Sequence, residues 1–376
     1  MSLQLGLVAG EASGDLLGAH CIDALKARFP HLAAAGIAGP QMVAAGVDAR
    51  YSSDALAVNG YVEVLRHLPR LLWIRSRITR YFLRERPRVF VGIDAPDFNF
   101  TLEKTLKRAG IPTVHFVSPS LWAWRGERIH AIKEAVSQML VVFPFEEAIY
   151  QQAGIPVSYV GHPLADMIPL EPDTRAARQA LGLDPDQRVI ALLPGSRAGE
   201  VARHAPLMFA AADAMRRSQP DLQFVVPAAN PGAAACVQQA MRAARLSALV
   251  LDGQSHTALA ACDLALVASG TATLEAALFK KPMVITYQVP KLTAALMRRR
   301  AYLPYVGLPN ILAGRFVVPE LLQEEATPVT LAREMLAWFD DPMRQHDAVE
   351  AFTEMHLALR QNASLRIADA IAPYLA

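Results

Sequence analysis

Residues 3–18 read Leu-Gln-Leu-Gly-Leu-Val-Ala-Gly-Glu-Ala-Ser-Gly-Asp-Leu-Leu-Gly. A short apolar run, Leu3–Ala9, stops at Gly10, and small and acidic residues then open a helix. The same order of strand, turn and helix recurs at Val89–Ile93, Thr113–Val117, Met139–Phe143 and Val157–Val160. It returns at Val189–Leu193, Gln223–Val226, Ala248–Leu251, Leu264–Ala268 and Met283–Thr286. A strand covered by helices on both faces needs apolar residues at every position, so continuous runs signal parallel sheets. The fold class this predicts is α/β, with two doubly wound, Rossmann-like domains. A chain of 376 residues agrees with that count, at roughly 150–200 residues per domain.

Regular elements break at Gly161–Asp173, which carries three prolines (Pro163, Pro169 and Pro172). Proline restricts its own backbone and that of the preceding residue, as a linker requires. The expected division is a first domain over 1–165 and a second over 166–340. After Pro328 the pattern turns helical, over Val329–Phe339, Met343–Leu359 and Ala363–Leu375. Residues 341–376 are expected to cross back onto the first domain, of the same chain or of a partner in a homodimer.

Hydrophobic residues make up 53% and charged residues 19%, which excludes a disordered chain. A net charge of +2 is too small for nucleic acid to be the main partner. Cys21, Cys236 and Cys262 are odd in number and widely spaced, giving neither a disulfide framework nor a zinc site. A reducing cytoplasm suits them. No secretory leader is read at the N-terminus and no apolar run of ~18 residues occurs, so no spanning helix is expected. The mean hydropathy of +0.21 is nonetheless high, which leaves contact with a membrane surface open.

Five segments carry candidate chemistry. Gly10–Gly18 sits where a dinucleotide fingerprint would sit, yet its spacing is G-x-x-x-G-x-x-x-G. Glu11 and Asp15 would also repel a pyrophosphate, so NAD is disfavoured. The plain alternative is a tight turn with Ser13 as the cap and Asp15 favouring its own helix dipole. In Val91–Asn99, Asp94 falls at the carboxyl end of a buried strand, where doubly wound proteins bind ligands. A carboxylate there suits a general base. Either Asp94 or Asp97 could instead cap a helix beginning near Phe100, and Asp97 fits the cap better.

His115–Arg125 holds two tryptophans, two serines and His115; the aromatics suit a sugar face or a core equally. In Leu193–Glu200, Gly195 allows close backbone approach, Ser196 donates to a phosphate oxygen, and Arg197 supplies a fork-shaped cation for a diphosphate. In Ala268–Leu278, Ser269, Gly270 and Thr271 open a helix whose free N–H groups suit an anion. Glu275 follows a turn and a half later, placed for a ribose diol; its alternative is an exposed helix face. Asp184-Pro185-Asp186 is formally D-x-D but lies in a turn, so no metal is expected.

Residues 62–82 are basic and amphipathic. Leu71, Ile74, Ile78 and Phe82 share one helical face, arginines dominate the rest, and Pro69 suits the first turn. Such a stretch serves as a crossover helix packed on a sheet, or lies on an anionic membrane surface. Val62, Val64, Leu65, Leu68, Leu72 and Trp73 are the candidates for lipid contact.

At these residues the sequence resembles the bacterial lipid-A-disaccharide synthase family, of GT-B type. The likeness rests on Ala9–Asp15, Gly92–Asn99, Ser118–Arg125, Leu193–Arg197 and Ala268–Glu275, with Gly161-His162-Pro163 and Leu308–Arg315. It runs in order to about residue 325. The resemblance implies a cofactor-free, metal-independent transfer with inversion. The donor would be UDP-2,3-diacylglucosamine and the acceptor hydroxyl the 6-hydroxyl of 2,3-diacylglucosamine 1-phosphate. It implies work at the cytoplasmic face of the inner membrane, with the acceptor on the first domain and UDP on the second. Asp94 matches the essential aspartate. Glu11 is carried as a second catalytic carboxylate, and Ser13, Asp97, Gly195, Ser196, Arg197, Ser269, Gly270, Thr271, Glu275 and Asn310 as substrate- or nucleotide-binding residues. A UDP-N-acetylglucosamine 2-epimerase, a non-catalytic nucleotide- or lipid-binding protein and an NAD oxidoreductase are the rival readings.

Overall fold

The computed structural model describes residues 3–10, 12–56, 61–123, 126–290, 294 and 302–376. The chain divides into two compact units, 1–166 with 358–376, and 167–357. The first unit holds a sheet of β1 (Leu5–Ala9), β2 (Ala34–Ala38), β3 (Asp48–Ser52), β4 (Val89–Ile93), β5 (Thr113–Phe116), β6 (Gln138–Val141) and β7 (Val157–Tyr159). Its order is β3-β2-β1-β4-β5-β6-β7, and every pair is parallel. The second unit holds β8 (Val189–Leu193), β9 (Gln223–Ala228), β10 (Leu249–Asp252), β11 (Leu264–Ala268), β12 (Met283–Tyr287) and β13 (Glu320–Leu322). Its order is β10-β9-β8-β11-β12-β13, again parallel. In each sheet the order reverses beside the first strand, at β1/β4 and at β8/β11, which opens a crevice beyond the strand ends.

The crossovers are helical. In the first unit they are α1 (Ala12–Arg28), α2 (Pro40–Ala44), α3 (Tyr61–Glu85), α4 (Pro96–Arg108), α5 (Ile129–Ala135) and α6 (Glu146–Gln152), with α7 (Pro163–Met167) at the boundary. In the second they are α8 (Thr174–Leu181), α9 (Ala198–Ser218), α10 (Pro231–Ala244), α11 (Ser255–Ala261), α12 (Thr271–Leu278), α13 (Leu308–Ala313) and α14 (Pro328–Asp340). Two more close the chain, α15 (Pro342–Leu359) and α16 (Ala363–Leu375). The second unit keeps the chain to Leu357 rather than 340, because Phe352 and Met355 of α15 are buried and His356 meets Lys280. Helix α16 returns to the first unit, where Asp369 pairs with Arg28 of α1.

Helix α3 docks through one stripe. Ile74, Ile78 and Phe82 are buried, Leu71 is half-buried, and Leu68, Leu72 and Trp73 are exposed. Phe82 lies edge-on to Phe90 of β4, with ring centroids 5.2 Å apart. Gly6 of β1 makes room for it, since a Cβ there would come 2.9 Å from the Phe82 ring. Burying three such side chains contributes roughly 1.5–3 kcal/mol each.

Several expectations need correction. Strands β2, β3 and β13 were not expected: Ala34–Ala38 is all alanine, glycine and one isoleucine, Asp48–Ser52 is a polar edge strand, and β13 has three residues. Alanine, glycine and aspartate are poor strand formers in isolation, so neighbours decide. Pro69 lies inside α3, not in its first turn. Helix α4 begins at Pro96 rather than near Phe100, because proline is preset for the first helical position. Ser13 is the second residue of α1 rather than its cap.

Asp15 lies in the first turn of α1, as expected, and its carboxylate also serves another helix. Its carboxylate is 2% exposed and accepts the backbone N–H groups of Gly39, Gln41 and Met42 at 2.9, 2.9 and 3.0 Å. It therefore caps α2 from a distance. The glycine spacing has a packing cause as well: a Cβ on Gly18 would stand 2.5 Å from Met42 Sδ, so α1 and α2 touch only where that Cβ is missing.

Candidate active site

In the first unit the chain leaves β4 through a backbone conformation that side chains resist. Asp94 and Ala95 have φ of 51° and 45°, and Val117, just past β5, has φ of 78°. Left-handed residues other than glycine cost about 1–3 kcal/mol each and gather at functional sites. The turn is tied down at several points. Asp94 N–H donates to the Phe116 carbonyl at 2.9 Å. The Ala95 carbonyl accepts from Phe98 and Asn99 N–H, both at 3.0 Å, and Asn99 Nδ2 donates to the Asp94 carbonyl at 2.8 Å. Asp94 is half-buried at the strand end. Gly10 abuts this turn, since a Cβ on it would meet the Ala95 Cβ at 2.5 Å.

Asp97 stands in the first turn of α4, with an exposed side chain and no cap bond. It pairs with Arg128 at 2.5 Å, and its carbonyl accepts from Arg75 at 3.3 Å. The expected role of Asp97 as helix cap is therefore wrong; Ala95 holds that position. Glu11, Trp124 and Arg125 lie outside the described residues, as do the side chains of Ser13, Val62, Val64 and Leu65.

The Ser118–Trp122 loop follows β5. Trp122 Nε1 donates to Glu146 Oε1 at 3.2 Å, Phe143 N–H donates to Glu146 Oε2 at 3.1 Å, and Ser118 Oγ lies 2.7 Å from the Tyr150 hydroxyl. Burial pushes the Glu146 carboxyl up to about 7, against the pull of its hydrogen bonds. His115 is fully buried and bonded to Glu103. Sequence reasoning missed Asn99, Glu103, Glu146 and Tyr150. Each is a polar residue on an apolar helix face, and that mismatch was the available signal.

In the second unit, Gly195 has φ of 120°. Glu200, in the first turn of α9, accepts Ser196 N–H at 3.3 Å, and Asn230 Nδ2 donates to the Ser196 carbonyl at 2.9 Å. Arg197 holds the cap position of α9 and is exposed with Ser196. Behind the loop, buried His204 accepts Gln288 N–H on Nε2 at 3.0 Å, which places its proton on Nδ1. Burial holds this imidazole below its usual range.

Gly270, with φ of 150°, starts α12, and Thr271 is its first residue. Ser269 Oγ donates to the Val306 carbonyl at 3.1 Å, and Thr273 Oγ1 donates to the Gly270 carbonyl at 2.8 Å. The Glu275 side chain is 18% exposed, with His256 Nε2 at 3.6 Å and Ser255 Oγ at 3.5 Å. Burial raises its carboxyl, and His256 opposes the shift. An exposed helix face is thus excluded for Glu275.

Asn310 departs from expectation. It is wholly buried, and its amide is used up by the chain: Oδ1 accepts from Val317 and Val318 N–H at 2.7 and 3.0 Å, and Nδ2 donates to the Val318 carbonyl and Glu320 Oε1 at 2.9 and 2.8 Å. The side-chain amide keeps no hydrogen-bonding capacity for a substrate, and it holds Glu320. Glu320 in turn accepts Val306 and Gly307 N–H, both at 2.9 Å, and so shapes the loop over Ser269. Among the described residues no group of three or more His, Cys, Asp or Glu side chains is placed to hold a metal ion.

Solved structures share this fold. A kitacinnamycin glycotransferase superposes with a TM-score of 0.64 at 15% identity, over 99% of each chain. UDP-GlcNAc 2-epimerase from Neisseria meningitidis, bound to UDP-GlcNAc, gives 0.64 at 12%, over 99% of each. Likenesses this remote give the fold alone, and that fold is GT-B, the two-domain α/β class used by many glycosyltransferases. The particular family follows from sequence. A family model described as lipid-A-disaccharide synthetase matches residues 5–371. The lipid-A-disaccharide synthase of Thiobacillus denitrificans is 68% identical over 369 residues, 98% of this chain and 99% of that one. That of Methylobacillus flagellatus is 52% identical over 374 residues, 99% of each. The chain belongs to the lipid-A-disaccharide synthase family and is a glycosyltransferase.

Proposed function

We propose that this enzyme moves 2,3-diacylglucosamine from its UDP derivative to the 6-hydroxyl of 2,3-diacylglucosamine 1-phosphate, with inversion. Asp94 takes the hydroxyl proton as the oxygen attacks the anomeric carbon. The bond from that carbon to the diphosphate breaks, a β-1,6 linkage forms, and UDP leaves. Arg197, Ser196 and the N–H groups opening α12 at Gly270 and Thr271 neutralise the departing diphosphate. Glu275 holds the ribose hydroxyls. The observation that carries the reading is Asp94 itself, a half-buried carboxylate at the end of a central strand in a strained, multiply bonded turn.

The test is UDP release with donor alone and with donor plus acceptor, in detergent and excess EDTA. Acceptor-dependent release supports a metal-independent transferase, and release without acceptor means a hydrolase. Asp94→Asn is expected to lower turnover by about 100-fold or more while UDP affinity stays unchanged. Wild-type turnover in that variant removes Asp94 as the base.

We further propose that the enzyme rests on the anionic cytoplasmic face of the inner membrane through α3. Leu68, Leu72 and Trp73 are exposed there beside exposed Arg70, Arg77, Arg80 and Arg84. Among the described residues no helix is long and apolar enough to cross a membrane. Apolar side chains ringed by arginines suit an anionic lipid interface.

A further inference from the structure

Beneath the Asp94 turn lies a buried polar cluster to which the transfer steps assign no task. Asn99 and Glu103 stand four residues apart on α4, facing the sheet, and both are 0% exposed. Glu103 Oε1 lies 2.7 Å from Nδ1 of His115, which is equally buried on β5. The Phe100 ring packs against His115 with centroids 4.4 Å apart and the planes tilted by 37°. Gly92 of β4 sits between these groups. A Cβ there would come 2.1 Å from Glu103 Oε1 and 3.1 Å from Asn99 Cβ and Cγ, so the cluster exists only because β4 is bare at that point.

Stability does not explain this cluster. Asn99 Oδ1, Glu103 Oε2 and His115 Nε2 are buried without a partner among the described residues. Each such atom costs about 1–3 kcal/mol. Apolar side chains of like shape would pack the same space at lower cost. Asn99 is the member that reaches the Asp94 backbone: its Nδ2 donates to the Asp94 carbonyl at 2.8 Å and lies 3.5 Å from the Val8 carbonyl on neighbouring β1, while Glu103 and His115 flank the same bare Gly92. Two successive left-handed residues relax unless something outside the turn holds them. A fixed donor on the Asp94 carbonyl does so.

We infer that Asn99, Glu103 and His115 form a positioning unit that locks the left-handed Asp94–Ala95 turn and thereby aims the Asp94 carboxylate at the acceptor hydroxyl. The inference rests on the reading of Asp94 as base. Burial raises the Glu103 carboxyl, and the His115 contact opposes that. None of the three residues touches substrate; they act through Asp94.

The decisive variant is Asn99→Asp, which keeps the shape but puts an acceptor where the donor stood. It is compared with Glu103→Ala, Glu103→Gln and Asp94→Asn, reading kcat, KM for each substrate, the pH profile of kcat, melting temperature and UDP affinity. Asn99→Asp is expected to lower kcat by roughly 10–100-fold, the scale set by misplacing a catalytic group by about 1 Å. UDP affinity and donor KM should stay within about twofold, and the acid limb of the pH profile should move. Glu103→Gln, which still accepts from His115, should recover most of the kcat lost in Glu103→Ala. A folded Asn99→Asp enzyme with wild-type kcat and pH profile overturns the inference. If Asp94→Asn is inactive in that same experiment, the base assignment survives and the positioning unit alone is wrong. If Asp94→Asn is fully active, the base assignment fails first. Should Asn99→Asp not fold, His115→Gln against His115→Leu is decisive: retained kcat in the first and loss in the second supports the inference, and equal kcat in both overturns it.

Discussion

Asp15 of α1 accepts the backbone N–H of Gly39 at 2.9 Å, and so holds the N-terminus of a helix that is not its own. With Gln41 and Met42 N–H also on the carboxylate, three donors depend on one buried side chain. Hydrogen bonds to a charged group are worth about 1.5–3 kcal/mol each, with partial compensation on removal. Asp15→Ala is expected to destabilise the enzyme by about 2–4 kcal/mol, measured by chemical denaturation. A loss of activity at unchanged stability would instead place Asp15 against the substrate.

Glu146 makes stability depend on pH. Its folded value, about 7, lies above its ordinary 4.5 because burial disfavours the charge. Its contribution is therefore fully present below pH 4.5 and is lost as pH rises towards 7. Glu146→Gln buries no charge, so its stability relative to wild type should improve across that interval and level off above it. Melting curves at several pH values decide the matter; a difference that is flat with pH rules out a buried, titrating Glu146.

The family resemblance assigns Asn310 and Arg197 alike to substrate or nucleotide, yet their surroundings separate them. Asn310→Ala should lower stability by about 2–4 kcal/mol, since it strands buried partners at Val317, Val318 and Glu320. Arg197→Ala, at an exposed cap, should change stability by less than about 0.5 kcal/mol. It should instead weaken UDP binding by about 10-fold or more. Calorimetric UDP titration beside thermal unfolding reads both; a stable Asn310→Ala enzyme that has lost only UDP affinity would restore Asn310 to the ligand.

The exposed stripe of α3 separates membrane contact from folding. Leu72→Ser with Trp73→Ser should leave stability within about 1 kcal/mol, while binding to anionic vesicles falls by about 10-fold or more. Phe82→Ala, on the opposite stripe, should cost about 3–5 kcal/mol. Sedimentation with phosphatidylglycerol vesicles at low and high salt tests the first pair. Unchanged binding would send the membrane contact elsewhere on the chain.

Most of the strands were legible because burial on both faces leaves a direct trace: Val89–Ile93, Val189–Leu193 and Leu264–Ala268 are apolar at almost every position and form strands with those bounds. The place of Asp94 followed from the same trace, since the residue ending a central parallel strand must face the crevice. Strands such as Ala34–Ala38 left no trace, because their pairing rests on neighbours rather than on their own residues.

The sequence alone thus determined the alternation of elements, the two-part organisation and the residues at the strand ends, all of which depend on local hydrophobic pattern. Only the tertiary structure decided that Asp15 caps a distant helix, that the Asn310 amide is spent inside the fold, and that buried Glu103 and His115 bond to each other. Those roles depend on which donors and acceptors meet across 7 to 27 positions of chain. A hydrogen bond is satisfied in space, by direction and distance, and the spacing of residues along the chain carries neither.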